Sequence, residues 1–251
     1  MRTVAVVNHK GGVGKTSLSV SLAAAWAAGG ERVALVDLDG QGSASAWLGA
    51  ADDGTDATLE VFASGGPLRL VGSTVPGLDV APASPALARL DALLAGQPDA
   101  VTALRPALSA LGGRYGWTVI HTPGAFGLAT LAALAAASAV VVPIEPSLLA
   151  VAQLSEVLAT IDRIRARLAP TLPAAIIAPV RVDVRTVLAR DVLETLRQRF
   201  GGAVTVATVR ESVRMREAPG ARQPIGLYDA GGAAAADVAA LALELSERLP
   251  A

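Results

Sequence analysis

Cysteine is missing from this 251-residue chain, and lysine nearly so: Lys10 and Lys15 are the only lysines among 21 basic residues, the rest being arginine. Without thiols there are no disulfides, no thiolate metal sites and no cysteine-held iron–sulfur clusters. Net charge is lacking too, at −1, so the total says nothing of a nucleic-acid partner until its distribution is considered. A convincing membrane-length apolar run is also absent. The one uncharged stretch of that length, Pro123 to Ile144, is rich in alanine, contains Gly127, Thr130, Ser138 and Pro143, and divides into a helix over 128–137 and a β-branched strand over 140–144. No charged n-region, apolar core and cleavage site opens the chain, and the expected location is cytoplasmic.

Both lysines lie in one eight-residue run, Lys10-Gly11-Gly12-Val13-Gly14-Lys15-Thr16-Ser17. The run follows an apolar stretch, Val4 to Val7, that reads as a buried strand, and precedes Leu18 to Ala28, which reads as a helix. Strand, glycine loop and helix in that order make a phosphate site. Glycines let successive N–H groups turn inward around an anion, the helix N-terminus adds partial positive charge, and Lys15 supplies a point charge to the outer phosphates. Thr16 would ligate Mg²⁺. The ordinary phosphate-loop pattern needs a glycine six residues before the lysine, where this chain has His9.

Strands are expected at 3–7, 33–36, 78–81, 118–121, 140–144, 175–179 and 203–207, with helical patterns between most of them. The fold class that follows is α/β: a mainly parallel, twisted sheet flanked by helices on both faces, forming a single domain over 1–251. No linker interrupts it, since the alanine-rich pieces at 132–137 and 233–236 sit inside helical patterns. Ligands of such sheets lie beyond the carboxyl ends of the strands, where the phosphate loop, Asp37, Asp39 and His121 are all expected. Residues 40–76 are the least legible.

The variant pattern KGGxGK[ST], with its extra lysine ahead of the glycines, is the deviant Walker A motif of the ParA/MinD group of ATPases, which the chain resembles. The absence of cysteine removes the nitrogenase-iron-protein branch of that superfamily. Val33-Ala-Leu-Val-Asp37-Leu-Asp39-Gly-Gln-Gly resembles the family's DxDxQG run, with Gly40 in place of the usual proline. The resemblance implies that Asp39 orients the attacking water and that Asp37 lies near Mg²⁺ and its water shell. It also implies that Lys10 reaches the nucleotide of a second subunit, so that ATP is sandwiched in a dimer and the added cation stabilises the transition state.

The chain departs from the family at His121. Tyr115 to Gly124 resembles the Walker B strand and its proline turn, yet the aspartate that normally holds Mg²⁺ through a water is His121 here. A neutral imidazole carries no negative charge, and an imidazolium would repel the metal. Slow turnover is expected, with partial compensation from Asp37.

Further on, Val140 to Leu154, Asp183-Val-Arg185-Thr and Ser212-Val-Arg214-Met-Arg-Glu217-Ala-Pro219 resemble ParA runs, so the similarity spans nearly the whole chain. In Soj-like members, arginines matching Arg185 and Arg214 help bind DNA without sequence preference. Charge agrees with this: nine arginines face five acids over 181–222, a local +4 that leaves −5 elsewhere. The resemblance thus implies a nucleoid-associated partitioning ATPase using ATP/ADP and Mg²⁺, dimerising on ATP, binding non-specific DNA and answering to a ParB-like protein. The last helix lacks a basic, aromatic-studded amphipathic tail, so no membrane partner is expected. Two other readings stand beside it: a nucleotide-binding regulator or scaffold with little hydrolysis, marked by His121, and a MinD-like positioning ATPase.

Overall fold

The computed structural model describes residues 1–50, 54 and 56–249. Seven strands, β1 (Arg2–Val6), β2 (Val33–Asp37), β3 (Val71–Gly72), β4 (Leu78–Ala81), β5 (Trp117–His121), β6 (Ala139–Ile144) and β7 (Ile176–Pro179), form one sheet in the order β3-β4-β2-β5-β1-β6-β7. All pairings are parallel except β3 with β4. The helices are α1 (Lys15–Ala28), α2 (Ser43–Trp47), α3 (Ala57–Ser64), α4 (Leu90–Leu93), α5 (Leu104–Ser109), α6 (Leu128–Ala136), α7 (Leu148–Leu168), α8 (Val187–Phe200), α9 (Val213–Glu217), α10 (Ile225–Tyr228) and α11 (Ala233–Arg248).

The strands are apolar on both sides because both sides are covered. Side chains alternate across the sheet, so Ala5, Val36, Ile120 and Val142 join one buried cluster with α5 to α8 residues, while Val4, Val6, Leu35 and Val119 join another with α1 and α11. Fully buried leucines such as Leu22 and Leu35 each contribute about 1.5–3 kcal/mol. Trp26 of α1 stacks on Trp117 at the start of β5, 4.0 Å between ring centres, and its Nε1 donates to the Ala242 carbonyl and the Ser246 hydroxyl. That joins α1 to α11 beneath the sheet. α11 therefore spends its apolar face, Val238, Leu241 and Leu245, inside the protein.

One expected strand does not form. Residues 201–203 are a 3₁₀ turn, and of the 203–207 segment only Val204 makes a bridge, to Ile177. The reason is a competing acceptor: the Glu244 carboxylate on α11 takes the N–H groups of Val206 and Ala207 at 2.9 and 2.7 Å, so these donors never join a ladder. The least legible segment holds α2, α3 and the antiparallel edge strand β3, with residues 51–53 and 55 lying outside the described part. Gly40 is required by close approach, since a Cβ there would stand 2.5 Å from the backbone nitrogen of Ala88.

Candidate nucleotide site

Parallel register brings the chemistry to one row. Val6 lies opposite His121, and His121 opposite Asp37, so the ends of β1, β5 and β2 finish level at the carboxyl edge. Beyond Val6 the chain turns through residues 8–14 into α1. Asn8 anchors the turn at both ends, donating from Nδ2 to the Pro143 carbonyl at 2.8 Å and accepting the Lys10 N–H through Oδ1 at 3.0 Å. Gly12 and Gly14 adopt φ of +74° and +91°, a region closed to most side chains, and α1 starts directly after Gly14.

Among the described residues, no backbone carbonyl accepts the N–H groups of residues 11–17. A run of unpaired donors at a helix N-terminus calls for an anion. Lys15 curls back over the loop, its Nζ donating to the Lys10 carbonyl at 3.0 Å, and is only 7% exposed. Burial pulls its pKa below the usual lysine value, and nearby Asp39 partly restores it. Bound phosphate would raise it further. Lys10 is half-buried, Gly11 and Gly12 are exposed, Val13 is buried, and Thr16 and Ser17 are partly exposed at the mouth of the loop.

Thr16 and His121 meet. The Thr16 hydroxyl lies 3.2 Å from His121 Nε2, and the Ser19 hydroxyl 3.5 Å from Nδ1. His121 is fully buried, which pushes its pKa down; the Asp37 and Asp39 carboxylates oppose that shift and Lys15 adds to it. Burial thus favours the neutral imidazole, whose two nitrogens face the two hydroxyls.

Asp37 and Asp39 part company at the strand end. β2 stops at Asp37, so strand alternation does not orient Asp39; a turn does. Asp37 is buried and its carboxylate accepts three bonds, from the Asp39 N–H at 3.1 Å, the Ser45 N–H at 2.9 Å and the Ser45 hydroxyl at 2.7 Å. It holds the turn into α2. Asp39 is half-exposed, with Oδ1 accepting the Gln41 N–H at 3.1 Å. For Mg²⁺, the partly exposed Thr16 hydroxyl is a fitting donor, with phosphate oxygens and waters to complete the set this metal ordinarily requires, and the accessible Asp39 carboxylate is left to orient a water. Among the described residues, no cluster of three or more acidic or histidine side chains could hold a metal on its own.

Sequence reasoning missed Arg181 and Glu211. Arg181 follows β7 at a left-handed φ of 54°, donates to the Gly12 carbonyl at 2.9 Å, and pairs with Glu211 at 3.1 Å and Glu145 at 3.2 Å. Its partners lie up to 169 residues away in sequence, so no local signal could reveal them. Next to the loop these residues rim a pocket with a floor of Leu18, Val180, Val209, Met215 and Val238. Arg210 is fixed by a bidentate pair with Asp237 of α11, at 2.6 and 2.8 Å.

Arg185 and Arg214 are exposed, at 84% and 60% of their side chains, but each is paired. Arg185 forks onto Asp183 at 2.8 and 2.9 Å and holds that carboxyl down at about 2; Arg214 bonds Glu217 at 3.0 Å. The two lie on separate segments, one ahead of α8 and one in α9.

Residues 1–174 match a family model described as an AAA domain. The chromosome partitioning protein ParA of Caulobacter vibrioides (strain NA1000 / CB15N) is 36% identical over 91% of this chain and 88% of its own length. The chromosome-partitioning ATPase Soj of Thermus thermophilus is 40% identical over 87% and 85%. Among solved structures, cobyrinic acid a,c-diamide synthase from Mycobacterium smegmatis with bound ATP analog and magnesium superposes with a TM-score of 0.85, at 29% identity, over 99% of this chain and 95% of that one.

Proposed function

The chain belongs to the ParA/Soj family of partitioning ATPases, and from that premise we propose that it is an ATP-switched DNA-segregation protein acting as a single domain. The observation that carries this reading is the loop whose N–H groups have no backbone acceptor among the described residues, with Lys15 folded over it, set level with the Asp37 and His121 strand ends and next to Asp39. ATP or ADP with Mg²⁺ is the ligand, in keeping with the ATP analog and magnesium of the mycobacterial relative.

The loop N–H groups and Lys15 bind the phosphates, and the base enters the apolar pocket over Leu18 and Val180. Mg²⁺, when bound, would supply positive charge to offset the negative charge on the phosphoryl group being transferred. Thr16 offers it a hydroxyl, and Asp39 orients the attacking water. Asp37, spent on Ser45 and the turn, supports Asp39 from behind rather than replacing the missing carboxylate. His121 holds Thr16 without supplying charge, so hydrolysis is slow and the ATP-bound state is long-lived.

Dimerisation on ATP explains two features of the carboxyl edge. Lys10 is not needed by its own loop as a cation, because Lys15 already fills that place, and it is free in function to serve a second subunit. Leu149, Val184, Val187, Leu188 and Val213 are large apolar side chains left exposed, at 53–64%, on segments that leave this edge. Pairing would bring two copies of the arginine-bearing segments together, and two weak DNA surfaces joined in one body bind far more tightly than one. Arg185 and Arg214 can exchange their carboxylate partners for DNA phosphates at little cost, since exposed ion pairs are worth about 0–1 kcal/mol. A ParB-like protein would stimulate hydrolysis, and the protein would sit on the nucleoid in the cytoplasm. Among the described residues, no helix is long and apolar enough to cross a membrane.

Co-sedimentation with unrelated DNA fragments tests the proposal. A non-hydrolysable ATP analogue should promote binding, ADP should not, and Lys15→Ala should abolish both nucleotide binding and the DNA response. DNA binding indifferent to nucleotide would refute the switch.

A further inference from the structure

Arg181 occupies a position no sequence pattern marks, and three separate segments converge on it. Its guanidinium donates to the Gly12 carbonyl of the phosphate loop, pairs with Glu145 just beyond β6, and pairs with Glu211 in the stretch leading to α9. Its own backbone stands at φ 54°, a conformation that costs any side chain free energy and persists only where surrounding contacts over-determine it.

The direction of the Gly12 bond matters. A trans peptide sets its carbonyl and its N–H on opposite sides, and no peptide among the described residues is cis. Arg181 draws the Gly12 carbonyl toward β7, so the N–H of Val13, in the same peptide plane, is turned the other way. Fixing one carbonyl therefore aims one of the loop's donors. Two carboxylates already offset the positive charge of Arg181, which makes it a poor direct attractor of phosphate and a good fixed strut.

We propose that Arg181 is the positioning residue of the phosphate loop, holding the Gly12–Val13 peptide in its anion-binding orientation before nucleotide arrives. The proposal rests on the nucleotide reading given above. It carries a second consequence through Glu211, which also bonds Arg216 of α9, the helix that bears Arg214. One carboxylate is thus shared between the strut of the phosphate loop and the arginine-bearing helix. A change of loop geometry on nucleotide binding reaches that helix through two ionic contacts.

Calorimetry of ADP and of a non-hydrolysable ATP analogue, with Mg²⁺, tests this on wild type, Arg181→Met and Arg181→Lys, alongside the melting temperature of each protein without nucleotide. Arg181→Met should weaken both nucleotides equally, by about tenfold, the size expected for losing one charge-assisted hydrogen bond. Arg181→Lys should recover part of the loss, because it keeps a cationic donor but not the fork that spans the carbonyl and two carboxylates. Melting temperatures should stay together, since exposed pairs contribute little to stability. Wild-type affinity in Arg181→Met would overturn the proposal. So would a loss confined to the ATP analogue, which would make Arg181 a direct contact of the outer phosphate, or a loss that merely follows a fall in melting temperature. Failure of the wild type to bind either nucleotide is a different result, and would remove the nucleotide reading along with this inference.

Discussion

At the phosphate loop, Lys15 is 7% exposed and His121 1%; on the arginine segments, Arg185 is 84% exposed and Arg214 60%. The two regions share the carboxyl edge of one sheet, yet they hold their functional groups by opposite means. Lys15, Thr16, His121 and Asp37 are fixed by strand register, by the start of α1 and by buried hydrogen bonds, so their geometry is set before a ligand comes. Arg185 and Arg214 are held by exposed carboxylates one turn or less away in sequence. A site that must recognise one ligand in one pose needs the first arrangement. The second arrangement would suit the proposed role of gripping any DNA phosphate and letting go, because an exchangeable partner is easily surrendered.

His121 is the position in the rigid region where a substitution should act most strongly. Restoring the carboxylate with His121→Asp should raise Mg²⁺-dependent phosphate release at saturating ATP, by on the order of 10² if an ordinary catalytic electrostatic contact is regained. The new acid stands opposite Asp37 in the register, so the gain should come with lower thermal stability, as two buried carboxylates repel. A flat or falling rate would mean that imidazole is part of a repacked and competent site.

A smaller effect is expected at the exposed end. Arg185→Glu with Arg214→Glu should weaken binding to all DNA sequences alike, about tenfold at moderate salt, with nucleotide affinity unchanged. Filter binding and calorimetry on the same preparation check both halves. If nucleotide affinity falls as well, the two regions are not built independently.

The smallest change sharpens the point. Asp183→Asn removes the carboxylate that forks Arg185 and should raise DNA affinity by a few-fold, roughly the value of one exposed ion pair. The pair persists throughout the neutral range, because Arg185 keeps the Asp183 carboxyl at about 2, so the effect should be the same at pH 6 and pH 8. No gain in affinity would place Arg185 outside the DNA surface.

The same contrast explains what could be seen in the sequence. β1, the loop and α1 are contiguous, so the strand–glycine loop–helix order is legible from one stretch, and the apolar strand runs announce a parallel sheet. Asp37 ends β2 at the carboxyl edge, but the Ser45 bonds that engage it depend on a turn no pattern declares. The 203–207 segment reads as a strand by its β-branched residues and fails because Glu244, some 38 residues on, takes its donors. Arg181 is illegible for the same physical reason: its meaning lies in Gly12, Glu145 and Glu211, brought together only by the fold. Local chemistry was readable, and long-range satisfaction of polar groups was not.

In the proposed switch, nucleotide in the rigid site controls the exchangeable surface by pairing two copies of it. The slope of log affinity against log salt for a long, unrelated DNA duplex measures this directly, since it counts the phosphates neutralised. With a non-hydrolysable ATP analogue the slope should be about twice that seen with ADP, as two arginine surfaces engage one duplex. Equal slopes in the two nucleotide states would rule out this pairing, whatever the difference in affinity.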